Sequence, residues 1–331
     1  MAGLRCVMRA VVLNSYGDEG VLEILEVPDP DPGPDEVVVR VAATAMNRAD
    51  LLQRMGLYPG PPMEHEIPGL EFAGVVERVG SRVDPSRIGS EVMGIVAGGA
   101  HAELVVTHER TLIDIPTGIA LTDAAAIPEV FITAFDALVV QGGLASGGTA
   151  LVHAGASGVG TASIQIARAI GARVVVSASA SKLDKLLALG ATAAVDRRAG
   201  DFVEVCRSVT DGAGVDVVLD VVGGDYVQRN IDALALGGRI IQVGVMGGGR
   251  TEINVGELLR KRASITGTTL RARPIEEKIA ISRRFAMEMV PWFTVGALRP
   301  VIDRRYEFDD IAEAHRYMAT NESTGKILID I

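Results

Sequence analysis

Thr149-Ala150-Leu151-Val152-His153-Ala154-Gly155-Ala156-Ser157-Gly158-Val159-Gly160 is the stretch on which the fold turns. Its first five residues carry no acidic or basic chain except one imidazole and read as a strand buried on both faces. A glycine-rich turn follows. Thr161 to Ile170 then repeats apolar residues at helical spacing and closes on Gly171 at the C′ position. Strand, glycine turn and helix in direct succession give these glycines a context that an isolated pattern lacks. Gly155 permits the tight turn. Gly158 and Gly160 allow backbone and helix to approach the sheet and a ligand closely. The helix start at Val159 to Ala162 offers unsatisfied N–H groups and a positive dipole end. Gly155, Ser157, Gly158, Val159 and Gly160 are therefore expected to hold a pyrophosphate. Ser157 replaces the second glycine of the usual fingerprint with another small residue. A tight βα turn with no ligand is the plainer alternative.

Reading outward, the alternation continues. Arg173 to Ser177, Val215 to Val222, Arg239 to Val243 and Ser264 to Thr268 read as further buried strands, and Lys182 to Leu189 as a helix closed by Gly190. This order predicts an α/β domain over residues 128–270, a doubly wound parallel sheet of the Rossmann kind with right-handed crossovers. Residues 1–127 are written differently, in short strands and turns: Val37 to Val41, Phe72 to Gly80, Glu91 to Ile95, Ala102 to Val106. They predict a β-rich, barrel-like domain. Residues 271–331 return to that style, with a helix at Ile311 to Met318 and a last strand at Lys326 to Ile331, and are expected to complete the β-rich domain. Met1 to Val7 reads as an extension before the first alternating pattern.

A dinucleotide site must still choose its cofactor. An NAD site places Asp or Glu at the end of the second strand for the ribose 2′-hydroxyl. No acidic residue occurs between Thr161 and Leu183. The strand end instead reads Ser177-Ala178-Ser179-Ala180-Ser181-Lys182, and Arg197 and Arg198 lie between the Lys182 to Leu189 helix and the strand at Val215. Ser179, Lys182 and Arg197 suit a 2′-phosphate that a carboxylate would repel, so NADPH is expected. The loop Gly244-Val245-Met246-Gly247-Gly248-Gly249, at the carboxyl edge of the Arg239 to Val243 strand, is expected to bring the backbone of Gly244 and Met246 near the nicotinamide.

Composition removes several classes. The 331 residues carry a net charge of −10, which disfavours a nucleic-acid binder. No apolar run approaches the roughly 20 residues of a spanning helix, and no signal-peptide pattern opens the chain. A cytoplasmic, non-membrane protein is expected. Cys6 and Cys206 are the two cysteines and supply neither a disulfide framework nor a thiolate metal site.

Asn47-Arg48-Ala49-Asp50-Leu51-Leu52-Gln53-Arg54, Ile67 to Gly74, Ala124 to Glu129, Thr133-Ala134-Phe135, His153 to Gly160, Gly267 to Arg273 and Gly325-Lys326-Ile327 together give the chain from Met8 onward its resemblance. It resembles the quinone oxidoreductase branch of the zinc-free medium-chain dehydrogenases/reductases. That resemblance implies a GroES-like catalytic domain built from both chain ends, a Rossmann domain, and a homodimer formed through sheet edges. Zinc-bearing relatives have Cys where this chain has Asn47 and Gly-His-Glu where it has Gly69-Leu70-Glu71, so no catalytic metal is expected. His65 and His101 stand isolated. The resemblance further implies that Asn47 and Tyr58 line the catalytic cleft, and Thr133 is a third pocket candidate: Asn47 near the nicotinamide or ribose, Tyr58 donating to a substrate oxygen, Thr133 at the nicotinamide end or a cofactor phosphate. Leu270 and Lys326 are taken as further cofactor contacts. Tyr58 also reads as a loop aromatic anchoring Pro59 to Pro62, Lys326 as a residue of an edge strand, and Arg48, Asp50 and Gln53 as a structural polar cluster. The expected activity is NADPH-dependent reduction of a small-molecule quinone. Its alternatives are an enone or alkenal reductase and a non-catalytic NADPH-binding protein.

Overall fold

The computed structural model describes residues 7–331; Met1 to Cys6, most of the expected extension, lie outside the described residues. Val7 is no part of that extension, because it opens the first strand. The chain forms two compact units. One runs to Glu129 and resumes from Arg271 to Ile331; the other is Val130–Leu270.

In the first unit, β1 (Val7–Leu13) pairs antiparallel with β2 (Leu22–Pro28). β3 (Glu36–Ala45) is the central strand. Along one edge it pairs with β4 (Glu71–Val79), which leads on to β5 (Glu91–Ile95) and β7 (Ile113–Asp114). β6 (Leu104–His108) lies on its other edge. The alternation of β3 explains its position. Val37, Val39 and Val41 enter one core with Phe72, Val76 and Val92, while Val38 enters another with Met8, Ala10 and Val12. Each buried valine contributes about 1.5–3 kcal/mol, and a slip of one residue would exchange the two sets.

The second unit is a six-stranded parallel sheet: β8 (Thr149–His153), β9 (Arg173–Ala178), β10 (Ala193–Asp196), β11 (Val215–Asp220), β12 (Leu234–Gln242) and β13 (Ser264–Gly267), in the order β10-β9-β8-β11-β12-β13. All five residues of β8 are buried. Ala150 and Val152 face one core and Leu151 the other, which is why the run lacks alternation. The sheet order reverses between β8 and β11, so the crevice beyond their carboxyl ends is the ligand position of this architecture. β12 begins at Leu234, ahead of the Arg239 start expected from the apolar run, because the turn leading into it already pairs with β11.

The chain then re-enters the first unit with β14 (Ile302–Glu307), the helix Ile311–Thr320 and β15 (Lys326–Asp330). β15 is flanked by β14 and by the Ala43–Ala45 end of β3. Lys326 is therefore not in an edge strand.

Two imidazoles are buried in this unit. His101 and His315 are both fully buried, with ring centroids 6.4 Å apart, edge to face. Neither ring makes a well-aligned hydrogen bond among the described residues. Burial holds both below the ordinary histidine value of 6.5, His315 well below it. An imidazole held neutral in the fold takes its proton only on unfolding. Stability is therefore complete above pH 6.5 and falls as the pH drops below it, by up to about 1.4 kcal/mol per pH unit for each ring. Urea unfolding across pH 7 to 5 is expected to show this loss, and His315→Gln to make it shallower. An unchanged slope in that variant would remove His315 as a source of the loss.

Candidate functional site

The glycine turn of the second unit is built to receive an anion. Ser157 caps the helix Gly158–Ala169: its Oγ accepts from Gly160 N at 3.0 Å, and its carbonyl from Thr161 N at 2.8 Å. The N–H groups of Gly158 and Val159, in the first turn, have no intrahelical acceptor. Gly160 must be glycine, since a Cβ there would lie 2.5 Å from the Ala154 carbonyl oxygen and 2.5 Å from backbone atoms of Gly155. Ala154 takes φ 53°, the left-handed region, to start the turn. Neither the cap nor this conformation is visible in a glycine count. Ser157 carried the clue, as a small hydroxyl residue immediately before an apolar helical pattern.

At the end of β9 the expected phosphate-selecting residues come together in part. Arg197 N donates to the Ala178 carbonyl at 2.8 Å, and its Nε lies 3.3 Å from Ser179 Oγ. Lys182 ends the short 3-10 turn Ala180–Lys182, half-buried. Gly244 and Met246 lie on the loop beyond β12. Gly244 N and Met246 N reach the carbonyls of Asp220 and Val221 at 3.3 and 3.2 Å, and the Met246 side chain is exposed. Leu270 is buried. Thr133 is buried on the helix Pro128–Phe135.

A polar chain missed by sequence reading organises these loops. Ser177 Oγ lies 2.8 Å from His153 Nδ1, His153 Nε2 2.7 Å from Asn230 Oδ1, and Asn230 Nδ2 donates to Asp220 Oδ2 at 2.9 Å. All four residues are buried, and burial lowers the His153 pKa. The other Asp220 oxygen accepts from Val222 N and Gly223 N at 2.6 and 3.0 Å. One carboxylate thus fixes the turn beyond β11, and the carbonyl of the same residue receives Val243 N at 2.7 Å. A His at the end of one buried strand and an Asp at the end of another was the available signal.

The first unit holds a buried ionic centre. Lys326 Nζ donates to the Met46 carbonyl at 2.6 Å, to Asn47 Oδ1 at 2.8 Å and to Glu71 at 2.7 Å. Asn47 Nδ2 donates to Glu71 Oε1 at 2.9 Å and to the Ala45 carbonyl at 3.2 Å. The second Glu71 oxygen accepts from Glu129 N at 2.8 Å. Asp50, in the first turn of the helix Arg48–Arg54, accepts from Asn47 N at 2.6 Å. An ammonium has three donors, and all three of Lys326's bond within the protein, where it serves as an internal counter-ion. Asn47 likewise spends both amide hydrogens internally. Burial and the neighbouring Glu71 carboxylate push Glu129 up to about 8, so this half-buried carboxyl carries its proton at neutral pH.

Tyr58 lies in the loop after that helix, half-buried. The buried Arg271 guanidinium sits over its ring, 5.0 Å from the centroid, and donates to the Tyr58 carbonyl at 3.1 Å. Gln53 joins this group, accepting from Arg271 at 2.6 Å and donating to Glu66 at 2.9 Å. Arg48 turns elsewhere, to Asn321 at 2.6 Å, so Arg48, Asp50 and Gln53 serve three separate contacts and form no single cluster.

The comparisons agree with this division. Residues 33–117 match the alcohol dehydrogenase GroES-like domain, and residues 158–285 match the zinc-binding dehydrogenase family. A quinone oxidoreductase-like protein 2 homolog of Nematostella vectensis is 32% identical over 325 residues, covering 97% of this chain and 88% of that protein. A phenolphthiocerol/phthiocerol polyketide synthase polypeptide of Mycobacterium tuberculosis is 33% identical over 96% of this chain, which spans only 14% of that protein's length. The solved structure of JamJ enoyl reductase, in its apo form, matches with a TM-score of 0.87 at 27% identity, covering 98% of this chain and 99% of that one.

The family's pyridine nucleotide fits the glycine cradle described above. Zinc does not fit the donors present. A catalytic zinc needs three protein ligands of the Cys, His or carboxylate kind. The corresponding place offers an amide, Asn47, and the carboxylate Glu71, both already bonded to the Lys326 ammonium, whose charge opposes a second cation. Its GroES-like and nucleotide-binding units place the chain in the medium-chain dehydrogenase/reductase family, within its quinone oxidoreductase branch.

Proposed function

We propose that this oxidoreductase reduces quinones with NADPH and without a metal. The observation that carries the reading is the exchange of a zinc donor set for the closed Asn47–Glu71–Lys326 centre. A carbonyl that needs a Lewis acid gains nothing from such a site, whereas a quinone accepts hydride readily and asks mainly for positioning and exclusion of water. The bound nicotinamide supplies the hydride. The first-turn N–H groups of Gly158 and Val159 hold the pyrophosphate, and Ser179, Lys182 and Arg197 take the 2′-phosphate. Tyr58 donates a hydrogen bond to a substrate oxygen, and Thr133 borders the nicotinamide end. Asn47 shapes the ionic centre.

The similarity to an enoyl reductase supports a second reading, hydride delivery to an activated alkene. Steady-state oxidation of NADPH with a quinone and an enal offered separately tests between the two. Quinone turnover alone supports the proposal, enal turnover alone replaces it, and nucleotide binding with no turnover points to a non-catalytic role. The cofactor part has its own test. Lys182→Ala and Arg197→Ala are each expected to lower the NADPH to NADH ratio of kcat/KM about tenfold, the loss of one charge-assisted contact. An unchanged ratio in both variants would overturn the 2′-phosphate assignment.

No helix among the described residues is long and apolar enough to cross a membrane; a cytoplasmic location remains part of the proposal. The edge strand β13, exposed at each of its residues, supports assembly as a homodimer through sheet edges, and the acidic net charge of −10 supports a role without nucleic acid.

A further inference from the structure

We infer that Arg271 is a positioning residue that aims the Tyr58 phenol at the substrate and sets its strength as a hydrogen-bond donor. The inference rests on the proposed role of Tyr58 and assigns it a partner.

Arg271 is 7% exposed, and its hydrogen-bond partners are three neutral oxygens. Nε donates to the Ala97 carbonyl at 2.7 Å, Nη1 to the Tyr58 carbonyl at 3.1 Å and Nη2 to Gln53 Oε1 at 2.6 Å. A buried cation is ordinarily paired with a carboxylate, because an unpaired one is costly. Among the described residues no carboxylate bonds to it directly, Asp50, Glu66 and Glu129 acting on it only through space, and its field falls on the Tyr58 ring that it overlies. The loop is shaped to allow this approach. A Cβ at Gly60 would lie 2.8 Å from Arg271 Nη2 and 2.9 Å from Gln53 Nε2 and would push this fork aside. The same fork is tied onward: Gln53 donates to Glu66 at 2.9 Å, and Glu66 accepts from the Tyr16 hydroxyl at 2.9 Å. Both ends of the loop carrying Tyr58 are thereby fastened through one guanidinium.

The electrostatics point the same way. Burial pushes the Tyr58 phenol up, the Arg271 guanidinium draws it back, and the nearby Glu129 raises it again. A phenol under a cation is the stronger donor to an oxygen gaining negative charge. Planarity matters too. Lysine at this position keeps the charge but not the planar fork, whose three separate nitrogens reach Ala97, Tyr58 and Gln53.

A double-mutant cycle separates aiming from mere support of the loop. Tyr58→Phe is expected to lower kcat on the accepted substrate about 100-fold, and Arg271→Ala about tenfold, mostly in kcat. In the Tyr58→Phe background, Arg271→Ala is expected to add less than about twofold, since the residue it acts through is gone. An equal loss in both backgrounds would overturn the inference. A second readout needs no turnover. The ultraviolet phenolate titration, with Tyr58→Phe as the difference reference, is expected to place the Tyr58 step at higher pH in Arg271→Ala and to leave it nearer wild type in Arg271→Lys. An unmoved step in Arg271→Ala overturns the inference even if no quinone is reduced. A moved step with no quinone turnover sustains it and rejects the substrate reading alone. Should Arg271→Ala fail to fold, the cycle run with Arg271→Lys decides, an equal loss in both backgrounds again being the contrary result.

Discussion

Lys326→Met is expected to destabilise the first unit by about 3–5 kcal/mol, the loss seen when one partner of a buried ion pair is removed. Lys326 and Glu71 have side-chain exposures of 3% and 0%. Without the ammonium, the Glu71 carboxylate keeps only Asn47 Nδ2 and Glu129 N as donors, and the Met46 carbonyl and Asn47 Oδ1 each lose a bond. Unpaired buried groups cost more than the pair contributes when intact. For that reason Glu71→Gln, added to Lys326→Met, is expected to restore part of the loss, of the order of 1–3 kcal/mol. Denaturant midpoints of the wild type, the two single variants and the double variant measure this directly. A loss below about 1 kcal/mol for Lys326→Met would show that the centre is hydrated and not dry.

Gly160→Ala is expected to weaken dinucleotide binding by about ten- to 100-fold, or about 1.4–2.8 kcal/mol, and to destabilise the second unit by about 1–3 kcal/mol. The added carbon would fall 2.5 Å from the Ala154 carbonyl oxygen and from the carbon and oxygen of Gly155. All three are backbone atoms of the turn that presents Gly158 and Val159, so no side-chain rotation relieves the contact. The helix must tilt or the turn must open. Either movement displaces the N–H groups and the Ser157 cap that rests on Gly160 N at 3.0 Å. Titration of NADPH against protein fluorescence, with urea unfolding in parallel, would check both effects. Wild-type affinity in this variant would mean that the pyrophosphate lies elsewhere.

Local chemistry was legible in the sequence, and long-range pairing was not. β8, its glycine turn and the following helix were readable because the run is apolar and the turn residues have few other uses. Gly171 and Gly190 marked helix ends correctly, and both take positive φ. The β-rich half was legible as a style, while its pairing was not. The edge-strand alternative for Lys326 failed because β15 reaches β3 across most of the chain, and nothing in Gly325-Lys326-Ile327 names its partners. Arg271 was noticed as part of a stretch, yet its contact with Gln53 spans 218 positions. Asn47 was singled out from its family position, but its bond to the Lys326 ammonium is one that no local pattern predicts. The Ser177–His153–Asn230–Asp220 chain was missed for a similar reason: three strands and a helix must meet before those four polar side chains can satisfy one another.

The central claim is reduction of a quinone by NADPH at a site with no metal. The most direct measurement is NADPH oxidation with 1,2-naphthoquinone by protein dialysed against a strong chelator, beside undialysed protein. Rapid turnover, equal in the two samples and much slower with NADH, is the predicted result. Turnover that disappears on chelation and returns with zinc would contradict it, as would turnover of an enal with none of the quinone.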